Sequence, residues 1–300
     1  MEKEIQTVDE FIASLKVAEP QRHKNLTIVP LMSSETKDLR LRTLEEALAS
    51  NEMTITEIDD DGSVPKLKFE NKGDVAVLIL QGTIIKGNRQ DRAVKTAFIV
   101  YPHSEIQGDV FCIEANRWAF VREQRGFKPD RHMSADICMN FSKSQSDIWR
   151  LIEEKRRRMR VMSHTDSADH IYNAYQKELE EFKKAFVIKH DCVGIIGLIE
   201  GKAIGMDISG VKEIFHRQFP DLITSFVIDA LDSGYCEEIK KHKPLTVEQF
   251  LIAVAKAKKE ERQAIGGKGI EMAGESVVGS VLVDHDVVVQ MEAFASEGSK

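Results

Sequence analysis

Cysteine, tryptophan and tyrosine are scarce: 300 residues contain four cysteines, two tryptophans and four tyrosines. No C-x-x-C pair occurs among Cys112, Cys138, Cys192 and Cys236, and so few cysteines in so long a chain exclude a disulfide scaffold. Buried, reduced thiols are expected instead. Long apolar runs are also missing. No stretch comes near the roughly 18 uninterrupted apolar residues that a membrane helix needs. The longest candidates, 75–80 and 193–199, suit buried strands. The leader MEKEIQTVDEFIASLK has no apolar run of signal-peptide length, so a cytoplasmic location and no membrane partner are expected. Positive charge is in deficit, with 42 Lys and Arg against 49 Asp and Glu and a net charge of −7. Neutralising phosphates along a nucleic acid needs a surplus of Lys and Arg, so no nucleic-acid partner is expected. What is present is ordinary globular composition: 42% apolar residues and 18 glycines.

The first third reads as strand-rich. Residues 8–16 form a short amphipathic helix at most, and Leu26–Met32 is a strand. Thr43 and Glu46 make a capping box ahead of a short helix. Residues 53–58 alternate, 59–62 (DDDG) turn, and 67–70 return. The continuous run at 75–80 belongs at a sheet centre. Residues 92–101 and 109–115 read as two further strands, with Pro102 and Gly108 bounding the loop between them. The middle is helical over 142–162 and 171–186, joined by the polar connection HTDSAD into an antiparallel hairpin. Ile171, Tyr175, Leu179, Phe182 and Phe186 recur at spacings of 4, 4, 3 and 4, the pattern of one packed helix face. In the last third, VGIIGLIEGKAIGMDI and SVVGSVLVDHDVVVQMEAF are hairpins. Between them, 211–231 is helical, with Pro220 restarting it. Thr246 and Gln249 cap a helix running to about 262. Helices interleave with hairpins, which favours an α+β fold: an antiparallel or mixed sheet built from N-terminal strands and the two later hairpins, covered by long helices. The expected organisation is a single domain over 1–300, with a core at about 25–295, a leader at 1–24 and a tail at 296–300.

Several familiar motifs fail on chemistry. Gly267-Lys268 is followed by Gly269, where a phosphate loop needs Ser or Thr. Asp59, Asp61 and Glu70 match calcium-loop positions, but Val64 stands where the turn needs Gly. His164, Asp166, Asp169 and His170 read as a helix start, where acids satisfy free N–H groups, so no metal site is expected. Lys155-Arg156-Arg157-Arg158 follows Glu153-Glu154 at i,i+4 spacing and reads as a solvated, ion-paired face.

Residues 81–118 stand out. Gly82 and Gly87 bracket a segment leading into Gln90-Asp91-Arg92, and Cys112-x-Glu114-x-x-Arg117-Trp118 closes the stretch. If the two strands pair, Gln90, Arg92 and Glu114 come together, with Arg117 and Trp118 at the rim. Such a set suits an anion: guanidiniums fork onto phosphate, Trp118 stacks a base or sugar, and Glu114 acts as acid/base or orients an arginine. The competing reading is structural, with Arg92–Glu114 a cross-strand ion pair, Trp118 a core aromatic and the glycines plain turns.

The same stretch resembles the first of the ARG and rhodanese-phosphatase-superfamily-associated protein families, where ARG is ADP-ribosylglycohydrolase. The family pattern is Gly-Glu, then Gly, then Gln-Asn-Arg, then Cys-x-Glu-x-x-Arg-Trp. Here it reads Gly82-Thr83, Gly87, Gln90-Asp91-Arg92 and Cys112-x-Glu114-x-x-Arg117-Trp118. NLTIVPL, TLEEAL, SVPKLKFENKGDVAVLIL and both hairpins extend the similarity over about 25–295. Thr83 replaces the family's Glu and Asp91 its Asn, so if that Glu carries catalysis, this chain binds without turnover. The resemblance implies an intracellular role near NAD or ADP-ribose metabolism: binding, and with catalysis processing, a phosphorylated, nucleotide-like metabolite. Gln90, Arg92, Arg117, Trp118, Gly82 and Gly87 would bind it and Glu114 would be catalytic; no cofactor is indicated. The alternative is a non-catalytic sensor or protein-interaction module.

Overall fold

The computed structural model describes residues 2–58, 65–87, 89–117, 127–235 and 244–296. The fold is α+β, and the chain divides into two compact units. The first contains residues 1–39 and 180–300; the second, residues 40–179, is inserted between them in sequence.

The first unit is built on a nine-stranded sheet. Its order is Lys16–Val17, Leu26–Met32, Cys192–Ile199, Lys202–Ile208, Val287–Ala295, Val277–Asp284, Lys268–Ala273 and Lys258–Arg262, with Gln21–His23 also paired to Leu26–Met32. Every pairing in it is antiparallel. The N-terminal strand and the two later hairpins therefore share one sheet, as their apolar patterning leads one to expect. One face carries Val29, Ile196, Met206, Met291, Val281 and Ile270. Helices Glu2–Ser14 and Val247–Lys256 cover that face with Val8, Phe11, Ile12, Phe250 and Val254. Helix Lys212–Ser233 packs on Cys192–Ile199 and carries Pro220 without interruption.

The capping box Thr246–Gln249 forms, but its helix stops at Lys256. Residues Lys258–Arg262 are an edge strand of charged residues, exposed at Lys258, Glu260 and Glu261. Charge at an edge discourages further strand addition, and it also erases the alternation by which a strand is recognised.

The second unit holds two sheets. A six-stranded sheet runs Lys128–His132, Thr83–Lys86, Arg92–Val94, Ser104–Cys112, Lys66–Asn71 and Met53–Thr56. A three-stranded sheet places Ala76–Ile79 between Phe98–Val100 and the parallel strand Leu41–Thr43; the uninterrupted apolar run is central there. The expected strand over 92–101 is two strands in different sheets, parted at Lys95-Thr96. Gly108 lies inside Ser104–Cys112 rather than in a loop, and the turn falls at Pro102-His103.

Thr43 caps Leu44–Ala49 with the expected reciprocal bonds to Glu46. Helix Gln145–Arg158 carries the basic run, whose charges are largely spent: Arg157 pairs with Glu153, Arg156 with Asp166, and the buried Lys155 with Asp136. The helix expected over 171–186 is two, Asp169–Ala174 and Gln176–Ala185, parted at Tyr175. Tyr175 is half-buried, and its hydroxyl donates to the Met159 carbonyl. Ile171, Leu179, Phe182 and Phe186 are buried. The turn expected at 59–62 lies outside the described residues.

Candidate functional site

The short strand Arg92–Val94 is flanked by Thr83–Lys86 and Ser104–Cys112, with Arg92 opposite Ile85 on one side and Cys112 on the other. That register carries the chain on either side of the ladder into one place. Gln90 Nε2 donates to the Glu114 carbonyl at 3.2 Å, and the Asp91 N–H donates to Glu114 Oε2 at 3.2 Å. Arg117 Nε donates to the same Oε2 at 2.7 Å. Arg117 Nη2 also reaches Asp91 Oδ1 and the Gly87 carbonyl, each at 3.4 Å. The Gly87 N–H closes the loop onto Asp91 Oδ1 at 3.3 Å. A bridge from Glu114 to Ser167 ties the cluster to the start of helix Asp169–Ala174.

Gln90, Asp91, Arg92 and Glu114 are all buried, and Arg117 is nearly so. Burial, reinforced by the carboxylates of Glu114 and Asp169, pushes the Asp91 carboxyl up to about 6, against the pull of Arg117 and the Gly87 N–H. Burial draws the Arg92 guanidinium down, while Cys112, Glu57 and Asp91 favour its charge. Burial also raises the Cys112 thiol, whose Sγ donates to the Glu114 carbonyl at 3.3 Å.

A second layer of charge adjoins the cluster. Lys86 Nζ lies 3.0 Å from Asp169 Oδ1 and 3.4 Å from Asp130 Oδ2. Burial lowers the Lys86 ammonium, but Asp169 and Asp130 outweigh it and hold the group above its ordinary value. Arg131 Nε lies 3.1 Å from Asp130 Oδ2, and its guanidinium stands over the Tyr172 ring at 5.6 Å.

The bracketing glycines have steric duties. Gly82 has φ +79°, and a Cβ there would meet His132 and Cys138. A Cβ on Gly87 would lie 2.4 Å from Phe127 Cε1 and 2.5 Å from the Gln90 carbonyl. Without a side chain at 87, the loop closes tightly enough for Asp91 to accept from the Gly87 N–H. His132, fully enclosed, is drawn down to about 4 by burial and is neutral.

Of the residues singled out in the sequence, Gly87, Gln90, Glu114 and Arg117 converge, while Arg92 stands in the adjoining strand opposite Cys112, within the influence of the Asp91 charge. Gly82 lies one strand away beside His132, and Trp118 lies outside the described residues. Glu114 pairs with Arg117. Asp91, Lys86, Asp130, Arg131 and Asp169 join them without a motif that marks them as site residues. Asp91 had one signal, its place between Gln90 and Arg92; the others are joined only by pairing with Lys128–His132 and by the distant Glu114–Ser167 bridge. Among the described residues, no group of three or more His, Cys, Asp or Glu side chains is arranged to hold a metal ion, and no helix is long and apolar enough to cross a membrane. An open pocket of about 560 Å³ lies elsewhere in this unit, against Met159, Arg160, Met162, His170 and Tyr175; it contains none of the cluster.

Chemically, the cluster offers one carboxyl group that changes charge near neutral pH, a guanidinium shared between two acids, and a second carboxylate fixed by that guanidinium. A family model described as the ARG and Rhodanese-Phosphatase-superfamily-associated Protein domain matches residues 14–294. No curated protein and no solved structure matches the chain.

Proposed function

Because the chain belongs to the ARG and Rhodanese-Phosphatase-superfamily-associated Protein family, we propose that it binds and processes an ADP-ribose- or NAD-type phosphorylated metabolite at the Gln90–Asp91–Glu114–Arg117 cluster. The supporting observation is the Asp91 carboxyl, raised to about 6 beside Arg117. A buried acid that titrates near neutrality next to a positive fork is the combination that proton transfer on an anionic substrate requires. Arg117 holds phosphate through its planar fork. Gln90 bonds sugar or base and Trp118 stacks beside it. Arg92, fully buried, supports the charge from behind. Asp91 transfers the proton, and Glu114, the acid/base candidate from the sequence, holds Arg117 in place.

The second reading, a non-catalytic sensor or interaction module, is favoured by one contact set: Glu114 Oε2 already receives Arg117 and the Asp91 N–H. Calorimetric titration with ADP-ribose and NAD, with a product assay alongside, separates the two. Under the first reading the wild type binds and turns over, Arg117→Lys weakens binding because the fork is lost, and Asp91→Asn binds without turnover. Binding with no product in any variant selects the sensor. A wild type that binds neither compound, nor any phosphorylated metabolite in a broader screen, removes the metabolite site.

A further inference from the structure

Strands Lys202–Ile208 and Val287–Ala295 are neighbours in the middle of the nine-stranded sheet, and their register sets Asp207 directly opposite Glu292. Opposed residues on antiparallel strands project to the same face with Cβ atoms about 4.5–5.5 Å apart. Both side chains are buried, Asp207 at 3% and Glu292 at 1% exposure. The Ser280 hydroxyl reaches Glu292 Oε1 at 3.4 Å. Among the described residues, Asp207 Oδ1 and Glu292 Oε2 have no hydrogen-bond partner.

The face of the sheet that carries the pair is also the one on which helix Lys212–Ser233 packs, through Phe226 against Gly197. That helix brings Glu213, His216, Arg217, Asp221 and the buried Asp229 and Asp232, and the remaining groups can be followed strand by strand. Ile195 opposes Asp207 from Cys192–Ile199, and Ser280 opposes Glu292 from Val277–Asp284. Beyond Ser280 come Glu271 and then Glu260. Arg262, on the edge strand, is the cation acting on Glu292 and Glu271, yet its Nε and Nη2 are themselves without a partner among the described residues. Lys259 and Asp9 pair on the opposite face, with the apolar core. Two adjacent buried carboxyl groups, each with one oxygen lacking a hydrogen-bond partner among the described residues, do not both ionise, because each charge costs desolvation and repels the other. Burial alone raises Asp207 to about 7. Burial and then Asp207 raise Glu292, against Ser280 and Arg262.

We propose that Asp207 and Glu292 hold one proton between them in the folded protein, making the pairing of these two strands a proton-linked latch that weakens as pH rises through neutrality. Opening the latch is plain acid dissociation: one O–H bond breaks, its electron pair stays on the carboxylate, and the proton leaves to water. In the unfolded chain both groups titrate near their ordinary values of about 4. Between there and neutrality the folded protein binds the extra proton. Stability from this pair is therefore complete at low pH and falls as pH rises, by up to about tenfold in the unfolding constant per pH unit per proton.

The test is denaturant unfolding of the full chain and of Asp207→Asn at pH 5, 6, 7 and 8. Asn keeps the shape, donates to Glu292 and needs no proton. Asp91 and the other titrating groups remote from the pair are common to both proteins and cancel in the comparison, which leaves the difference to Asp207 and its effect on Glu292. The ratio of wild-type to variant unfolding constants should rise at least about tenfold between pH 5 and pH 8. Should the variant not fold, hydrogen exchange of the wild type at pH 6 and pH 8, corrected for intrinsic rate, reads the same latch. Lys202–Ile208 and Val287–Ala295 should lose protection beyond that lost by the six-stranded sheet. A ratio independent of pH, or protection lost uniformly, overturns the proposal.

Discussion

Gly82 approaches His132 so closely that a Cβ at position 82 would stand 2.4 Å from the imidazole Cε1, and 2.8 Å from Cys138 Sγ. His132 cannot swing aside, since it is buried and its Nδ1 bonds the Met133 carbonyl. Gly82→Ala should cost about 1–3 kcal/mol for the left-handed backbone and about 1–3 kcal/mol more for overpacking. Urea unfolding checks this. A variant of parental stability with altered ligand affinity would make Gly82 a binding residue instead.

The Asp91 carboxyl has a folded value of about 6 against an ordinary 3.8. Its contribution to stability is whole below pH about 4 and is lost as pH rises through about 6. Asp91→Asn, which also restores the residue of the family pattern, should gain on the wild type across that window, by about 2–3 kcal/mol at pH 8. Unfolding curves at pH 4 and pH 8 measure the difference. Equal stabilities at both pH values would mean that Asp91 titrates like an exposed acid.

Glu114 both raises Asp91 and occupies Arg117. In Glu114→Gln the carboxylate repulsion disappears and Arg117 turns its charge towards Asp91. The Asp91 titration, followed by carbon-13 NMR of its carboxyl, should move down from about 6. A midpoint that stays put would show that burial alone sets it.

Phe182 is fully buried, edge-on to His23 at 4.8 Å and beneath Lys24 Nζ at 5.2 Å. Phe182→Ala should cost about 3–5 kcal/mol. Calorimetric melting would show it, and an unchanged midpoint would mean that the site collapses without leaving a cavity.

What the sequence reveals here follows from how local each cause is. Thr43 with Glu46 and Thr246 with Gln249 act across three residues, and both caps form. The strand Leu26–Met32 and the two hairpins carry their patterns within themselves. The break at Tyr175 is hidden because the apolar spacing runs through it undisturbed. Lys258–Arg262 is hidden because an exposed edge strand has no apolar face to display. Gln90 reaches Glu114 because both lie just beyond the paired ends of adjacent strands, Arg92 standing opposite Cys112. Asp169 joins them through the Glu114–Ser167 bridge and through Lys86, both far away in the chain, and Asp207 meets Glu292 through a register between strands far apart in the chain. No window of sequence contains either relation.

The insertion of residues 40–179 into the first unit also sets a timetable for biosynthesis. Leu26–Met32 emerges from the ribosome early, but its partner Cys192–Ile199 follows roughly 160 residues later. At about 5–20 residues per second, that delay is roughly 10–30 s. The inserted unit can close in the meantime, while an apolar strand waits with the edge that takes Cys192–Ile199 still open. That interval is the period of greatest aggregation hazard for the nascent chain, and it is where a chaperone would have its longest opportunity to act.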